Sequence, residues 1–327
     1  MKLLTVVVCA LPCCASVLAT FPAPTTLENI AVSNSGNIFT SALNTGTVYQ
    51  VTPTGSSQVF GQAGTSATGL SFFDGSLFAV GGSNVYRFGP QGGTAAVVTN
   101  VAGARLLNGL ALLSPGVLLA TDSTAGLIWQ INVGNGSSQI WSSDPSLAFS
   151  TQPGSRSVGA NGLKLFNGSV YVSNTSSATV LRIPILPGGV AGTPQVYKSN
   201  LLLDDFAFAA DGTLFGATQF GNSVVRLGTD GSVTTIATTA DGILGDSSIA
   251  FGRTIADSQS IYVSNNGGAF QNLPGGPQPG SVVQLNVGVN GAVPELEAVP
   301  EPDTQTSFAV GAVILLLLIG YKRYQEN

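Results

Sequence analysis

Apolar residues in this chain fall in short runs separated by turns, and the runs recur as a set. Each set opens on a polar residue followed by an apolar run: Glu28-Asn29-Ile30-Ala31-Val32, Thr68-Gly69-Leu70-Ser71-Phe72, Asn108-Gly109-Leu110-Ala111-Leu112, Asn161-Gly162-Leu163-Lys164-Leu165, Asp204-Asp205-Phe206-Ala207-Phe208 and Ser247-Ser248-Ile249-Ala250-Phe251. A turn follows, as in Ser35-Gly36-Asn37 or Asn167-Gly168-Ser169, where glycine accepts the positive φ of a hairpin. A second run (Val170-Tyr171-Val172-Ser173, Ile261-Tyr262-Val263-Ser264) and a third (Val180-Leu181-Arg182-Ile183, Val282-Val283-Gln284-Leu285) are rich in β-branched and aromatic residues and predict strands. The third run carries Gln or Arg at the same place in each copy.

The six openings lie about 40 residues apart, except for the 53 residues from Asn108 to Asn161, where an insertion falls around residues 144–158. That period, with three to four strands per copy, fits propeller blades rather than a helical solenoid. The prediction is an all-β, six-bladed β-propeller over residues 20–288, flanked by an N-terminal signal peptide and a single C-terminal transmembrane helix. Two β-sandwiches would not repeat a whole strand-turn-strand-strand unit. The ring's closing strand is expected near residues 21–26, because little chain precedes Glu28.

Composition narrows the chemistry. Only 8% of the 327 residues are charged, and the net charge of -5 with scattered Lys and Arg excludes a nucleic-acid surface. Histidine is absent, which removes the commonest general base and the commonest zinc ligand. Cys9, Cys13 and Cys14 all precede residue 15, so the predicted domain has neither disulfide nor thiol nucleophile.

Both ends read as addresses. Lys2, an apolar run over residues 3–18 and the small residue Ala19 predict a signal peptide over residues 1–19, cut by signal peptidase near Ala19. A retained anchor or a buried strand is the alternative. At the other end a linker over residues 289–307 contains Val299-Pro300-Glu301-Pro302, and an apolar stretch over residues 308–321 leads to Lys322-Arg323. A helix over that stretch spans only about 21 Å of a bilayer core about 30 Å thick. Pro-Glu-Pro, apolar helix and basic cluster in that order resemble the PEP-CTERM sorting signal. The resemblance implies export, transient anchoring through residues 308–327, and removal by an exosortase-type protease at the cell envelope or surface. An ordinary tail anchor is the alternative.

In a propeller the first strand of each blade lines the central channel, so Glu28, Thr68, Asn108, Asn161, Asp204 and Ser247 should form a ring. Every one is an oxygen donor. Such a set suits a hard cation, and calcium before zinc. Polar side chains meeting water at a channel mouth are the plain alternative. Asp205 could replace Asp204, and Asp122 after the third copy's second run points toward the same face.

The openings around Glu28, Asn161 and Asp204, with Ser248-Ile249-Ala250-Phe251-Gly252-Arg253-Thr254, resemble the senescence-marker-protein/gluconolactonase family, and its secreted branch in particular, over roughly residues 25–290. The resemblance implies one divalent cation held by Glu28, Asn161 and Asp204. It also implies Asp204 as base for a water that opens a lactone or ester, and Asn108 as a further ligand or substrate contact; Thr68, Ser247, Asp122 and Asp205 are candidate substrate contacts by their position at the ring. The family's Arg-rich substrate contacts are not found. Two other readings stand beside a hydrolase: a non-enzymatic exported propeller that binds an extracellular glycan or protein, and a cyclase-like propeller that orients a small molecule.

Overall fold

The computed structural model describes residues 15–151 and 156–293, and these are strands, turns and three short 3-10 segments. Each predicted opening leads into the first of four antiparallel strands, with a fifth added in repeat 4. In repeat 1 these are Leu27–Val32, Ile38–Ala42, Thr47–Val51 and Ser57–Gln62. Repeat 2 has Leu70–Phe73, Ser76–Gly81, Asn84–Gly89 and Gly92–Asn100. The same order recurs from Leu107–Ser114 in repeat 3, Ala160–Phe166 in repeat 4, Phe206–Phe208 in repeat 5 and Asp246–Phe251 in repeat 6.

Second strands are buried along their whole length in repeats 1, 2, 4, 5 and 6, which is why they read as continuous apolar and small residues rather than as an alternation. Outer strands such as Ser57–Gln62 and Val233–Ala237 are mostly exposed. First strands pack side by side in chain order, and that of repeat 6 returns to Leu27–Val32 of repeat 1, so a closed ring surrounds an axis. Core clusters fill the spaces between neighbouring repeats, as where Phe215 and Val224 of repeat 5 meet Ile249 and Val263 of repeat 6. This is an all-β propeller.

Hydrogen bonding divides the strands into five sheets rather than six separate ones. Repeats 3, 4, 5 and 6 are individual sheets, whereas repeats 1 and 2 form one eight-stranded sheet. Their outer strands meet in a short parallel pairing, Gly61 with Gly93 and Gln62 with Thr94.

Ring closure departs from expectation. The closing strand is Ala15–Phe21, paired antiparallel with Gly280–Asn286, not a segment within residues 21–26, which instead make a turn with Thr25 N–H donating to Pro22 O. Ala19 and Phe21 of this strand enter the core, and three of its residues are exposed. Residues 1–14 lie outside the described residues, as do Pro300-Glu301-Pro302 and the apolar stretch 308–321. No helix among the described residues is long and apolar enough to cross a membrane. The domain also runs past residue 288: Gly291 bridges Ala209, and Ala210 N–H donates to Asn290 O at 2.9 Å.

The Gly- and Pro-rich loop between Ser260–Asn265 and Gly280–Asn286 of repeat 6 is tied to repeat 5. Gln271 Nε2 donates to Gln219 O at 3.0 Å and to Asn222 Oδ1 at 2.7 Å.

Candidate metal centre at the channel mouth

The opening residues reach the axis because the strands bulge there. Pairing of first and second strands shifts register between Leu27 and Ile30, between Leu107 and Leu110, and between Ala160 and Leu163, so Glu28, Asn108 and Asn161 lie within the irregularity. A bulge re-aims a side chain that a regular strand would send to a face. The next residue is Gly69, Gly109 or Gly162 in repeats 2 to 4, because the neighbouring repeat's backbone occupies the space. A Cβ at Gly69 would meet Asn108 O at 1.9 Å, and one at Gly109 would meet Asn161 O at 2.4 Å.

Four of the predicted residues come together. Asn108 Nδ2 donates to Asn161 Oδ1, and Asn161 Nδ2 donates in turn to Asp204 Oδ1 and, at 3.0 Å, to Thr175 Oγ1. Asn108 also lies near enough to Glu28 to favour its charged form. All four are buried, and Glu28 Oε2 and Asp204 Oδ2 have no hydrogen-bond partner. Glu28 is pushed up to about 7, first by burial and then by the charge of Asp205, with Asn108 acting the other way. Asp204 is raised well above the usual carboxylate range by burial, then by the charges of Glu28 and Asp205, against its bond from Asn161.

Four other predicted residues face elsewhere. Thr68 Oγ1 lies 2.6 Å from Leu107 O and 3.0 Å from Val80 O, and Ser247 Oγ lies 3.1 Å from Leu27 O, so both hydroxyls serve the seams between repeats. Asp122 turns into its own repeat. It accepts Arg105 N–H at 2.8 Å, Leu106 N–H at 3.1 Å and Ala125 N–H at 3.0 Å, which leaves it no role at the axis. Asp205, whose charge acts on Glu28 and Asp204, is the hub of a separate set of polar contacts. Lys164 Nζ donates to both its oxygens at 2.7 Å, Ser248 Oγ donates at 2.6 Å and Asn29 Nδ2 at 3.2 Å. Asp205 thus ties repeats 1, 4, 5 and 6 together.

Asp246 was not anticipated. It is fully buried, accepts Thr218 N–H at 2.6 Å through one oxygen and has no partner on the other. Burial pushes it up to about 7 against the backbone N–H bonds it accepts. A signal existed, because the residue before each other opening is the buried apolar Leu27, Ala67, Leu107, Ala160 or Leu203. A second unread signal is a hydroxyl at the end of the second strand. Ser41, Thr121 and Ser173 each accept the N–H that follows their own repeat's opening residue and donate at 2.6 Å to the next opening residue's carbonyl.

Among the described residues no group of three or more His, Cys, Asp or Glu side chains is placed to hold a metal. The donors here are two carboxylates and two amides. Their oxygen-only chemistry and the two orphaned carboxylate oxygens fit a hard divalent cation, since a buried unpaired carboxylate oxygen is costly without a countercharge.

Fold and mouth together define a β-propeller with an acid-amide cluster on its axis. No family model and no curated protein matches the chain. Solved structures do. Regucalcin from Agrobacterium tumefaciens, a calcium-binding protein, is 17% identical, with 88% of this chain and 98% of that one covered and a TM-score of 0.66. A gluconolactonase from Xanthomonas campestris is 18% identical, covers 83% of this chain and 89% of its own, and gives a TM-score of 0.63. A luciferin-regenerating enzyme is 13% identical over 84% of this chain and 97% of its own, with a TM-score of 0.64. At these identities the likeness is one of fold.

Proposed function

We propose that this chain is an exported, six-bladed, calcium-binding propeller that hydrolyses a lactone or ester at the channel mouth. The count of six treats the eight-stranded sheet as two blades joined at the rim, in keeping with the ring of six first strands. The observation that carries the site is the pair of buried, partnerless oxygens Glu28 Oε2 and Asp204 Oδ2 beside Asn108 and Asn161.

Glu28, Asn161 and Asp204 would hold the cation, with Asn108 alongside. A bound divalent cation supplies positive charge that offsets the carboxylates and polarises a carbonyl oxygen. Asn108 and Asn161 hold Asp204 in place through their chain of amide bonds. Asp204 takes the proton of a water whose oxygen bonds to the substrate carbonyl carbon; the ring or ester C–O bond then breaks and the departing oxygen takes that proton back. No histidine is needed. The two ends carry the export reading: the signal at residues 1–19, and the Pro-Glu-Pro, apolar and Lys-Arg series that an exosortase-type protease would cut.

Elemental analysis and calorimetric calcium titration of the chelator-treated protein test the metal, and a screen of neutral lactones and esters with wild type and Asp204→Asn tests the chemistry. One calcium per chain and turnover lost in the variant are expected. A bound calcium without turnover removes the hydrolase and keeps the centre. Neither calcium nor turnover leaves a non-enzymatic surface propeller.

A further inference from the structure

The seam between repeats 1 and 2 differs from the others in being zipped at one end. Gly61 and Gly93 approach so closely that a Cβ at Gly61 would lie 2.0 Å from Gly93 O, and one at Gly92 would lie 1.9 Å from Phe60 O. Pairing stops after Gly61–Gly93 and Gln62–Thr94. Beside this pairing a cleft of about 580 Å³ lies between the two repeats, within the size range of small-molecule sites.

The lining of this cleft has a definite chemistry. None of its residues is charged. Its base is aromatic: the buried Phe39 stacks on Phe72 at 5.8 Å and 5° and meets Phe60 edge-on at 4.9 Å, while Phe60 and Phe72 are only half-buried and line the open space. Its walls carry the primary amides Asn37, Gln50, Gln58 and Gln91. Gln58 Nε2 donates to Gln50 Oε1 at 3.2 Å, which leaves this pair a further acceptor and several donors.

Aromatic surface below and neutral donors and acceptors above match a ligand with apolar C–H faces and a rim of hydroxyls. We infer that the cleft between repeats 1 and 2 binds a neutral oligosaccharide segment. An acidic or basic ligand would find no countercharge there, and a purely apolar one would strand the amides. The cleft is separate from the channel mouth: Glu28 is the second residue of the strand Leu27–Val32 and Ser33, at the cleft, follows its end, about 17 Å along an extended chain at 3.3 Å per residue.

Affinity electrophoresis of the full chain tests this, with dissolved β-glucan, xyloglucan, galactomannan or starch in native gels and alginate as the anionic control. At least one neutral polysaccharide should retard the protein, in chelator and in Glu28→Gln as well as in wild type. Gln50→Ala/Gln58→Ala should weaken that retardation at least tenfold. Gln91→Ala, in an exposed turn, is the second variant should the first fail to keep the wild-type circular dichroism. The inference is overturned by no retardation on any neutral polymer, by retardation unchanged in the folded variants, by retardation on alginate alone, or by its loss in Glu28→Gln.

Discussion

Replacing Glu28 by Gln isolates the electrostatic strain of the channel mouth. Glu28 rises from an ordinary 4.5 to about 7 on folding, chiefly because burial disfavours its charged form. A carboxyl raised in this way contributes its full stability below pH 4.5 and loses it as the pH climbs to about 7. A shift of this size corresponds to about 3 kcal/mol at 1.36 kcal/mol per unit. In chelator, the stability of Glu28→Gln relative to wild type should therefore improve by about 3 kcal/mol between pH 4 and pH 8, whatever the fixed cost of the added amide N–H₂. Urea unfolding at both pH values measures it. Calcium should offset most of that gain: at a hundred times its Kd it should add about 2.7 kcal/mol to wild type at pH 8, and far less to the variant. A difference between variant and wild type that stays constant from pH 4 to pH 8 would refute the reasoning.

Other expectations follow from the seams and from closure. Ser173→Ala removes the acceptor of Gly162 N–H and the donor to Asp204 O, and should cost about 1–3 kcal/mol in urea unfolding, while a conservative Ser173→Thr should retain most of it. Lys164→Met leaves the buried Asp205 carboxylate with neutral donors only; because Lys164 is itself 25% exposed, a loss of about 2 kcal/mol is expected, read as a lower urea midpoint at constant slope. A chain beginning at Thr20 lacks most of the closing strand and its pairing with Gly280–Asn286, so it should melt several degrees below a chain beginning at Ala15. Equal melting temperatures would show that the ring does not depend on Ala15–Ala19. N-terminal sequencing of the exported protein reads the same question in the cell, since a cut after Ala19 removes that segment.

Much of the site was legible because a strand's side chains obey a local rule. Glu28, Asn108, Asn161 and Asp204 stand at equivalent places in their repeats, and the structure links the last three by hydrogen bonds and sets Glu28 close enough to raise Asp204. Equivalence alone could not separate them from Thr68 and Ser247. Those two share the position, but a short hydroxyl side chain lies close enough to the neighbouring backbone carbonyl to bond it, whereas a longer amide or carboxylate reaches the axis. The partners of Asp122 and Asp205 were not legible for a related reason, since the N–H groups, the lysine and the hydroxyl that bond their carboxylates are remote in sequence or lie in a turn. Asp246 escaped notice although it breaks a column of apolar residues.

What the sequence by itself determined is the repeat: its period, its strands and its polar openings, all set by patterns that act over a few residues. Only the tertiary structure decided how the repeats join. Ala15–Phe21 pairs with a strand more than 250 residues later, and repeats 1 and 2 merge through Gly61 and Gly93. Which carboxylate oxygens are left without partners was also settled there. These are contacts between segments with no local signature, fixed by the closure of a ring whose last repeat must meet its first.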